Sequence, residues 1–424
     1  MEKQTKLALH WRILIAMALG VVFGIIATMM GWKEWSIDWI KPFGTIFINL
    51  LKLIALPLII VSLIKGVSDL KDVSQLSKMG GHTILYYLGT TVFAVIVGLV
   101  LVNLFQPGSL VSEEARQSLI GSFGGQLNEK LSSAGSGGEA GPLQPLVDIV
   151  PDNIFGAATS NGNMLQVIFF VIFIGIGLVL IPEEKAQPVK AFFDGLNEVI
   201  LKLIDLIMEV APYGVFALLA TLVVETPSLS LFKALIGYGL TLILALSIMV
   251  FAIYPLMVRF FAKKGYLDFF RAMGPAQLVA LSTSSSAATL PVTMERVTEK
   301  LGVSETVASF VLPIGATVNM DGTSCHQAVA AIFIAQTFGM DLDLSTQLGI
   351  ILTASLASIG AAAVPSAGIV MLVIVLGQAG IPEAGLAMIF AVDRPLDMCR
   401  TVVNITGDAT VSLMVDRKVS LDAD

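Results

Sequence analysis

Between Met79 and Ser112 the chain runs for 34 residues without one Asp, Glu, Lys or Arg, around the core YLGTTVFAVIVGLVLVNLF. About 20 apolar residues let a helix cross a bilayer, so a run of this length and character reads as a membrane span. The same criterion picks out Ile13 to about Met30, and Phe43 to Ile64 with Lys52 as its one charge. It also picks out Met164 to Ile181, a more amphipathic stretch from about Phe193 to Val224, and Ala234 to Val258. Composition agrees. Hydrophobic residues make up 55% of the 424 and charged residues 13%, where soluble domains carry roughly 25% charged residues. Too few charges remain to cover a water-soluble surface, and disorder would need far fewer apolar residues. The net charge of -7 implies no basic surface for nucleic acid. Two cysteines, Cys325 and Cys399, and three histidines suggest neither a disulfide framework nor a zinc site. The expected fold class is an all-α polytopic membrane protein.

Basic residues set the orientation. Lys3, Lys6 and Arg12 precede the first span, and Lys65, Lys71 and Lys78 separate the second from the third. Lys185 and Lys190 follow the fourth, and Arg259, Lys263, Lys264 and Arg271 follow the sixth. The alternate loops are poorer in them: Gln106 to Gly162 holds Arg116 and Lys130 against six acidic residues and is rich in Gly and Ser. That segment reads as a flexible outer loop, and both termini are expected on the cytoplasmic side of the cell membrane.

The last 160 residues break the pattern. From Leu344 to Pro382 there are 39 residues without a charge, interrupted by SIGAAAVPSAG at 358–368. Each flanking arm is too short to cross, which suits a re-entrant segment. A second interruption, LSTSSSAATLP at 281–291, divides a shorter charge-free stretch. Irregular backbone at membrane depth survives only inside protein or beside a wet cavity, and a pair of broken hydrophobic segments points to a transporter's binding site. Between them lies Asn319-Met320-Asp321-Gly322-Thr323, a poor helix interior because Asn, Asp and Gly favour turns. Unwound there, the backbone would aim carbonyls and the Asp321 carboxylate at a cation.

The final span, expected from about Ala384 to Val415, contains Asp393, Arg394, Asp397, Arg400, Thr401, Asn404 and Asp408. At about 3.6 residues per turn all seven fall within about a third of the helix circumference. Ionisable groups at mid-bilayer are costly enough that such a stripe implies a polar cavity; the plainer reading is internal ion pairing that locks helices together. Arg400 offers a planar fork for a carboxylate. Asp397, one turn away, can accept an ammonium, with Thr401 and Asn404 as neutral partners. Asp408 suits a hard cation. Together they describe a site for an acidic amino acid, since a neutral one would leave Arg400 unmatched and a plain dicarboxylate would leave Asp397 unmatched.

STSSSAATLP, NMDGT, SIGAAAVPSAG and DMCRTVVNITGD, in this order and spacing, resemble the dicarboxylate/amino acid:cation symporter family, which includes archaeal aspartate transporters and the animal excitatory amino acid transporters. The likeness covers nearly the whole chain. It implies eight transmembrane helices and two re-entrant helical hairpins in inverted repeats, a homotrimer, and elevator-type alternating access. The implied scaffold is 11–82 (spans one and two) and 164–228 (spans four and five), with an outer loop at 107–163. The implied transport domain is 83–106 (span three) and 229–416, with the inner hairpin at about 268–297 and the outer, gating hairpin at about 344–380.

The resemblance also implies residue roles. Arg400, helped by Thr323, holds the substrate's side-chain carboxylate, and Asp397 holds its amino group. Asn404 and the backbone near Ser285 and Ser286 meet the α-carboxylate, with Val364 and Gly368 covering the ligand. One sodium site matches Asp408, Asn319, Asn404 and the Gly315 carbonyl; a second matches Asp321, Asn319, Tyr87, Thr90 and Thr91. A third matches Thr317, Ser358 and the neighbouring backbone at Met320 and Ile359. The implied function is symport of L-aspartate, L-glutamate or both with Na+ as coupling ion. Gln327 stands where the animal carriers have a Glu tied to proton and potassium coupling, which implies sodium symport without either. Ser284 stands where archaeal members have an arginine, a place that Arg394 is expected to fill. Alternatives within the fold are a proton-coupled or a dicarboxylate-selective carrier. An intramembrane aspartyl protease would match Gly407-Asp408 but needs a glycine where Ile405 stands, and an ion channel has no use for an amino-acid clamp.

Overall fold

The computed structural model of the chain describes residues 9–68, 77–121, 147, 150–159, 163–225, 228–359, 367–390 and 392–423. Among these the regular structure is entirely helical. The apolar runs become α1 (Leu9–Met29), α2 (Lys41–Ser68), α3 (Ser77–Phe105), α4 (Met164–Leu180), α5 (Glu183–Glu225) and α6 (Leu229–Ile248). The amphipathic fifth run is thus part of one helix of 43 residues. Beyond α6 lie α7 (Tyr266–Thr283), α8 (Ser286–Glu295), α9 (Glu305–Val318), α10 (Asp321–Thr337), α11 (Leu344–Ile359), α12 (Ala367–Gln378) and α13 (Asp393–Ala423).

The helices sort into two packing groups. In the first, α5 lies along both α1 and α2, and α4 packs on α2. Gly20 and Gly24 of α1 permit that approach: a Cβ on Gly24 would come within 2.6 Å of the Val223 Cβ. Small residues four apart are how helices close on one another where lipid supplies no hydrophobic drive. In the second group, α10 lies along α3, and α13 is surrounded by α7, α9 and α10. The outer faces of α1 and α2 carry exposed Leu19, Val22, Ile25, Phe43, Ile46 and Leu53, as a lipid-facing surface does.

Among the described residues, five helical stretches are long and apolar enough to cross a membrane, ending with Glu183–Glu225 and Leu229–Ala262. The family-implied eight exceeds this because α4 has only 17 residues, α9 and α10 are split, and α13 carries a polar stripe. The run to Ala262 contains two π-helical turns, Met249–Ile253 and Val258–Ala262, on either side of Tyr254-Pro255. Pro255 has no N–H and crowds the carbonyl four residues back, so the turn widens. That carbonyl, Phe251 O, instead accepts from the Tyr266 hydroxyl at 2.8 Å.

The interruptions fall where turn chemistry put them. α7 and α8 pack against each other through a two-residue break. Ser284 is left-handed (φ 52°), and Ser285 caps α8 by accepting from Ala288 N at 3.2 Å. α11 and α12 also pack together, but residues 360–366, the centre of the small-residue break, lie outside the described residues. At NMDGT only Asn319 and Met320 leave the helix. The last span begins later than expected, at Asp393, after a separate short helix Leu386–Phe390. Pro395 explains this, since proline is accepted in a helix's first turn and breaks its interior.

Candidate functional site

The seven-residue stripe of α13 faces inward, as a polar face must where the surroundings are apolar. Arg400, 1% exposed, is its centre. Its Nη2 donates to Asp393 Oδ1 at 2.7 Å and to Asp397 Oδ1 at 2.8 Å. Its Nη1 donates to His326 Nδ1 of α10 at 2.6 Å. Arg394 Nη1 closes the group by donating to Asp397 Oδ2 at 3.1 Å. Two guanidiniums and two carboxylates therefore neutralise one another out of water. Gly368 at the head of α12 and Thr323 in the first turn of α10 border the guanidinium: a Cβ on Gly368 would lie 3.1 Å from Arg400 Nη1 and 3.0 Å from Thr323 Cγ2.

Two helical turns further along α13 a different group forms around the unwound pair. Asn319 Nδ2 donates to Asp408 Oδ1 at 2.8 Å and to Asn404 O at 3.1 Å. Asp321 accepts from Thr91 Oγ1 and from the Tyr254 hydroxyl, each at 2.6 Å. Asn404 Oδ1 accepts from Gly322 N at 2.8 Å, satisfying an N–H that the helix start leaves open. Asp321 and Asp408 are 0% and 2% exposed, and among the described residues neither meets a Lys, Arg or His. Glycine holds the space open: a Cβ on Gly315 would run into the Tyr87 hydroxyl and the Asp408 carboxylate, and one on Gly407 would sit 2.7 Å from Asn319 Nδ2. Carboxylate, amide and carbonyl oxygens around two uncompensated negative charges are the donor set of a hard cation.

A family model, that of the sodium:dicarboxylate symporter family, matches residues 9–418, almost the whole chain. The chain belongs to this family. It is 36% identical over 423 residues to the proton/sodium-glutamate symport protein of Geobacillus stearothermophilus, covering 97% of this chain and 94% of that one. To the proton/glutamate-aspartate symporter of Escherichia coli (strain K12) it is 34% identical over 432 residues, covering 99% and 96%. To excitatory amino acid transporter 3 of Mus musculus it is 35% identical over 450 residues, covering 96% and 85%. This sodium:dicarboxylate symporter family member is a membrane transport protein, and its relatives are symporters, not enzymes.

Within the family member the expected substrate residues are partly gathered. Arg400, Asp397, Thr323 and Gly368 converge, and Thr401 Oγ1 donates to the Asp397 carbonyl at 3.1 Å. The two arms expected to grip opposite ends of a ligand are bonded to each other, as opposite charges one turn apart in a low dielectric will be. Asn404 belongs to the second group instead. Ser285 and Ser286 head α8, which packs on α13; Val364 lies outside the described residues. Arg394 reaches Asp397 while Ser284 contributes no hydrogen bond from its buried hydroxyl.

Of the expected sodium ligands, Gly315, Asn319, Asn404 and Asp408 come together, as do Asp321, Thr90, Thr91 and Asn319. The Tyr87 hydroxyl donates to Val311 O at 3.0 Å beside them. The third set is not joined by hydrogen bonds. Thr317 is exposed and bonds to Ile314 O at 3.0 Å, whereas buried Ser358 bonds to Ser355 O at 2.9 Å next to half-buried Ile359. The Met320 thioether accepts from Asn404 Nδ2 at 3.3 Å. Three groups with a place here carry no role in the expectations above: His326, Asp393 and Tyr254. Asp393 belongs to the polar stripe of the last span, His326 follows the NMDGT break by three residues, and Tyr254 is a titratable side chain in an apolar run.

Proposed function

We propose that this chain is a sodium-coupled secondary symporter of acidic amino acids, L-aspartate or L-glutamate, in the cell membrane with both termini cytoplasmic. The observation that carries the reading is the pair of unlike groups on α13, one charge-neutral around Arg400 and one cation-poor around Asp321 and Asp408. An acidic amino acid brings a side-chain carboxylate and an ammonium, which can replace the two ends of the Arg400–Asp397 pair so that each of those two residues keeps an opposite charge. Sodium ions at the second group cancel its carboxylates. Gly322 joins the two: its N–H bonds to the Asn404 side chain of the second group at 2.8 Å, and it lies so close to the Arg400 backbone that a Cβ there would come within 2.5 Å of the Arg400 carbonyl oxygen. Filling one group thereby orders the other, which is the coupling a symporter needs. The relatives' names, a proton/sodium-glutamate symporter and an excitatory amino acid transporter, support the substrate class.

In this reading 11–82 and 164–228 form a scaffold, and 83–106 with 229–416 a transport domain that slides against it, with 107–163 an outer loop. α7 with α8 and α11 with α12 are the re-entrant hairpins, the second acting as gate, and the protein is a homotrimer. Radiolabelled L-aspartate uptake into choline-loaded proteoliposomes tests the proposal. Accumulation driven by outside sodium, and inhibited by unlabelled aspartate, is the expected result. Uptake driven by a proton gradient alone would overturn the sodium assignment. No accumulation from either gradient, in folded protein, would overturn the symporter.

A further inference from the structure

His326 has no part in the transport cycle described so far, yet it is 0% exposed and touches Arg400. Arginine only donates, so the 2.6 Å contact fixes His326 Nδ1 as the acceptor and puts the imidazole's proton on Nε2. Nε2 has no hydrogen-bond partner and lies 3.8 Å from Asp393 Oδ1. A second proton on Nδ1 would point at the guanidinium, so His326 stays neutral while Arg400 remains where it is.

The surroundings sharpen this. From α13 His326 faces Arg400 and Asp393, with Asp397 and Arg394 bonded in turn to them. α6 contributes Tyr238, whose ring stacks on Phe333 of α10 at 4.8 Å, and its Lys233 is exposed. α11 and α12 contain no Asp, Glu, Lys, Arg or His. On α3, Lys78, His82, Tyr86 and Tyr87 precede Gly98, the point of approach to Cys325, by about three turns or more. The remaining titratable groups on α10 are Asp321 and Cys325. Arg394 and Arg400 balance Asp393 and Asp397, so a substrate of net charge -1 leaves the group one positive charge short. Turning Arg400 to the substrate's carboxylate also takes from Asp393 its guanidinium and from His326 Nδ1 its donor. A proton on Nδ1 answers both losses, because imidazolium beside Asp393 restores an ion pair.

We propose that His326 carries a proton taken up with the substrate, making this symport proton-linked as well as sodium-driven. The proton comes from the side the substrate enters and leaves to the cytoplasm when Arg400 returns to His326 after release. The inference rests on the symporter reading and replaces the expectation of no proton drawn from Gln327.

Proteoliposomes containing entrapped pyranine, driven by sodium, give protons and aspartate per unit time together. Wild type should acidify with a ratio near one, and its apparent aspartate affinity should weaken by about tenfold per pH unit over the window between the imidazole's substrate-free and substrate-bound titrations. His326→Asn, which offers Arg400 an acceptor in place of Nδ1 but cannot be protonated, should drop the ratio to zero and flatten the pH profile at whatever rate remains. His326→Gln should do the same. Infrared difference spectra of wild type on adding aspartate should show imidazole becoming imidazolium, which needs no variant. Sodium-driven uptake with no acidification, or no imidazolium signal, overturns the proposal and leaves the symporter intact. A ratio that persists in either folded variant overturns His326 as the carrier. No sodium-driven uptake at all overturns the symporter reading itself.

Discussion

The two polar groups on α13 are built from similar acids and solved in opposite ways. Around Arg400 each carboxylate has a guanidinium partner within 3.1 Å. Around the unwound segment Asp321 and Asp408 have only hydroxyl and amide donors. A buried carboxylate with neutral donors alone is expensive, while an arginine partner in a low dielectric offsets much of the desolvation cost. The first group can accept a ligand only by exchanging partners. The second can be relieved only by adding a cation. This difference is what the proposed symport requires: one group that trades partners with a charged solute and one that takes up a cation.

Breaking the paired group should have the largest effect. Arg400→Cys leaves Asp393 and Asp397 facing each other with Arg394 alone, and should weaken acidic-substrate uptake by roughly a hundredfold or more. Uptake of a neutral amino acid should survive or appear, because the small side chain leaves room and no unmatched fork. Competition assays with aspartate against serine or alanine read this directly. If both uptakes vanish and the protein no longer folds, the pairing is structural and the clamp assignment fails.

The cation-poor group should respond with the opposite sign. Asp408→Asn removes an uncompensated charge but keeps an oxygen toward Asn319, so melting temperature without sodium should hold or rise. The sodium-induced rise in melting temperature should shrink, with apparent sodium affinity falling at least about tenfold. Asp393→Asn, in the paired group, should instead lower the sodium-free melting temperature, since Arg400 loses a buried partner. Equal shifts of the same sign in both variants would erase the distinction drawn between the groups.

Much of this was legible because membrane constraints are severe. Charge-free runs read as apolar helices, and seven polar residues on one arc of α13 could only face inward. NMDGT interrupts the helix as expected, though only at Asn319 and Met320, with Asp321 and Gly322 already in the first turn of α10. Partner choice within the stripe was not legible, because helical phase places Asp397 and Arg400 on one face without saying whether they bind a ligand or each other. His326 and Tyr254 escaped notice for a related reason: each acts across helices, on Arg400 and Asp321, from positions 74 and 67 residues away in the chain. The late start of α13 was hidden because hydropathy does not register Pro395, and the widened turns around Tyr254 because it does not register Pro255 either.

The same contrast extends to the ion pairs that tie helices together. Lys41 and Glu225 meet at 2.6 Å within the α2–α5 group. Lys52, the lone charge in the second apolar run, pairs with Glu383, which follows α12 and so belongs to the other group. Both side chains of this second pair are largely shielded, 26% and 12% exposed, so its charges are screened less than a surface pair's. If the groups slide past each other, Lys52–Glu383 must break on every cycle whereas Lys41–Glu225 need not. Lys52→Met should therefore speed departure from the present arrangement by roughly two- to tenfold, as a partly buried pair of modest strength would allow. Lys41→Met should lower stability by a similar factor and leave that rate unchanged. Single-molecule fluorescence transfer between a dye on α2 and one on α11 measures the rate, and thermal unfolding the stability. Identical rates in wild type and Lys52→Met would mean that the pair travels with one body, and that the boundary between the two groups runs elsewhere.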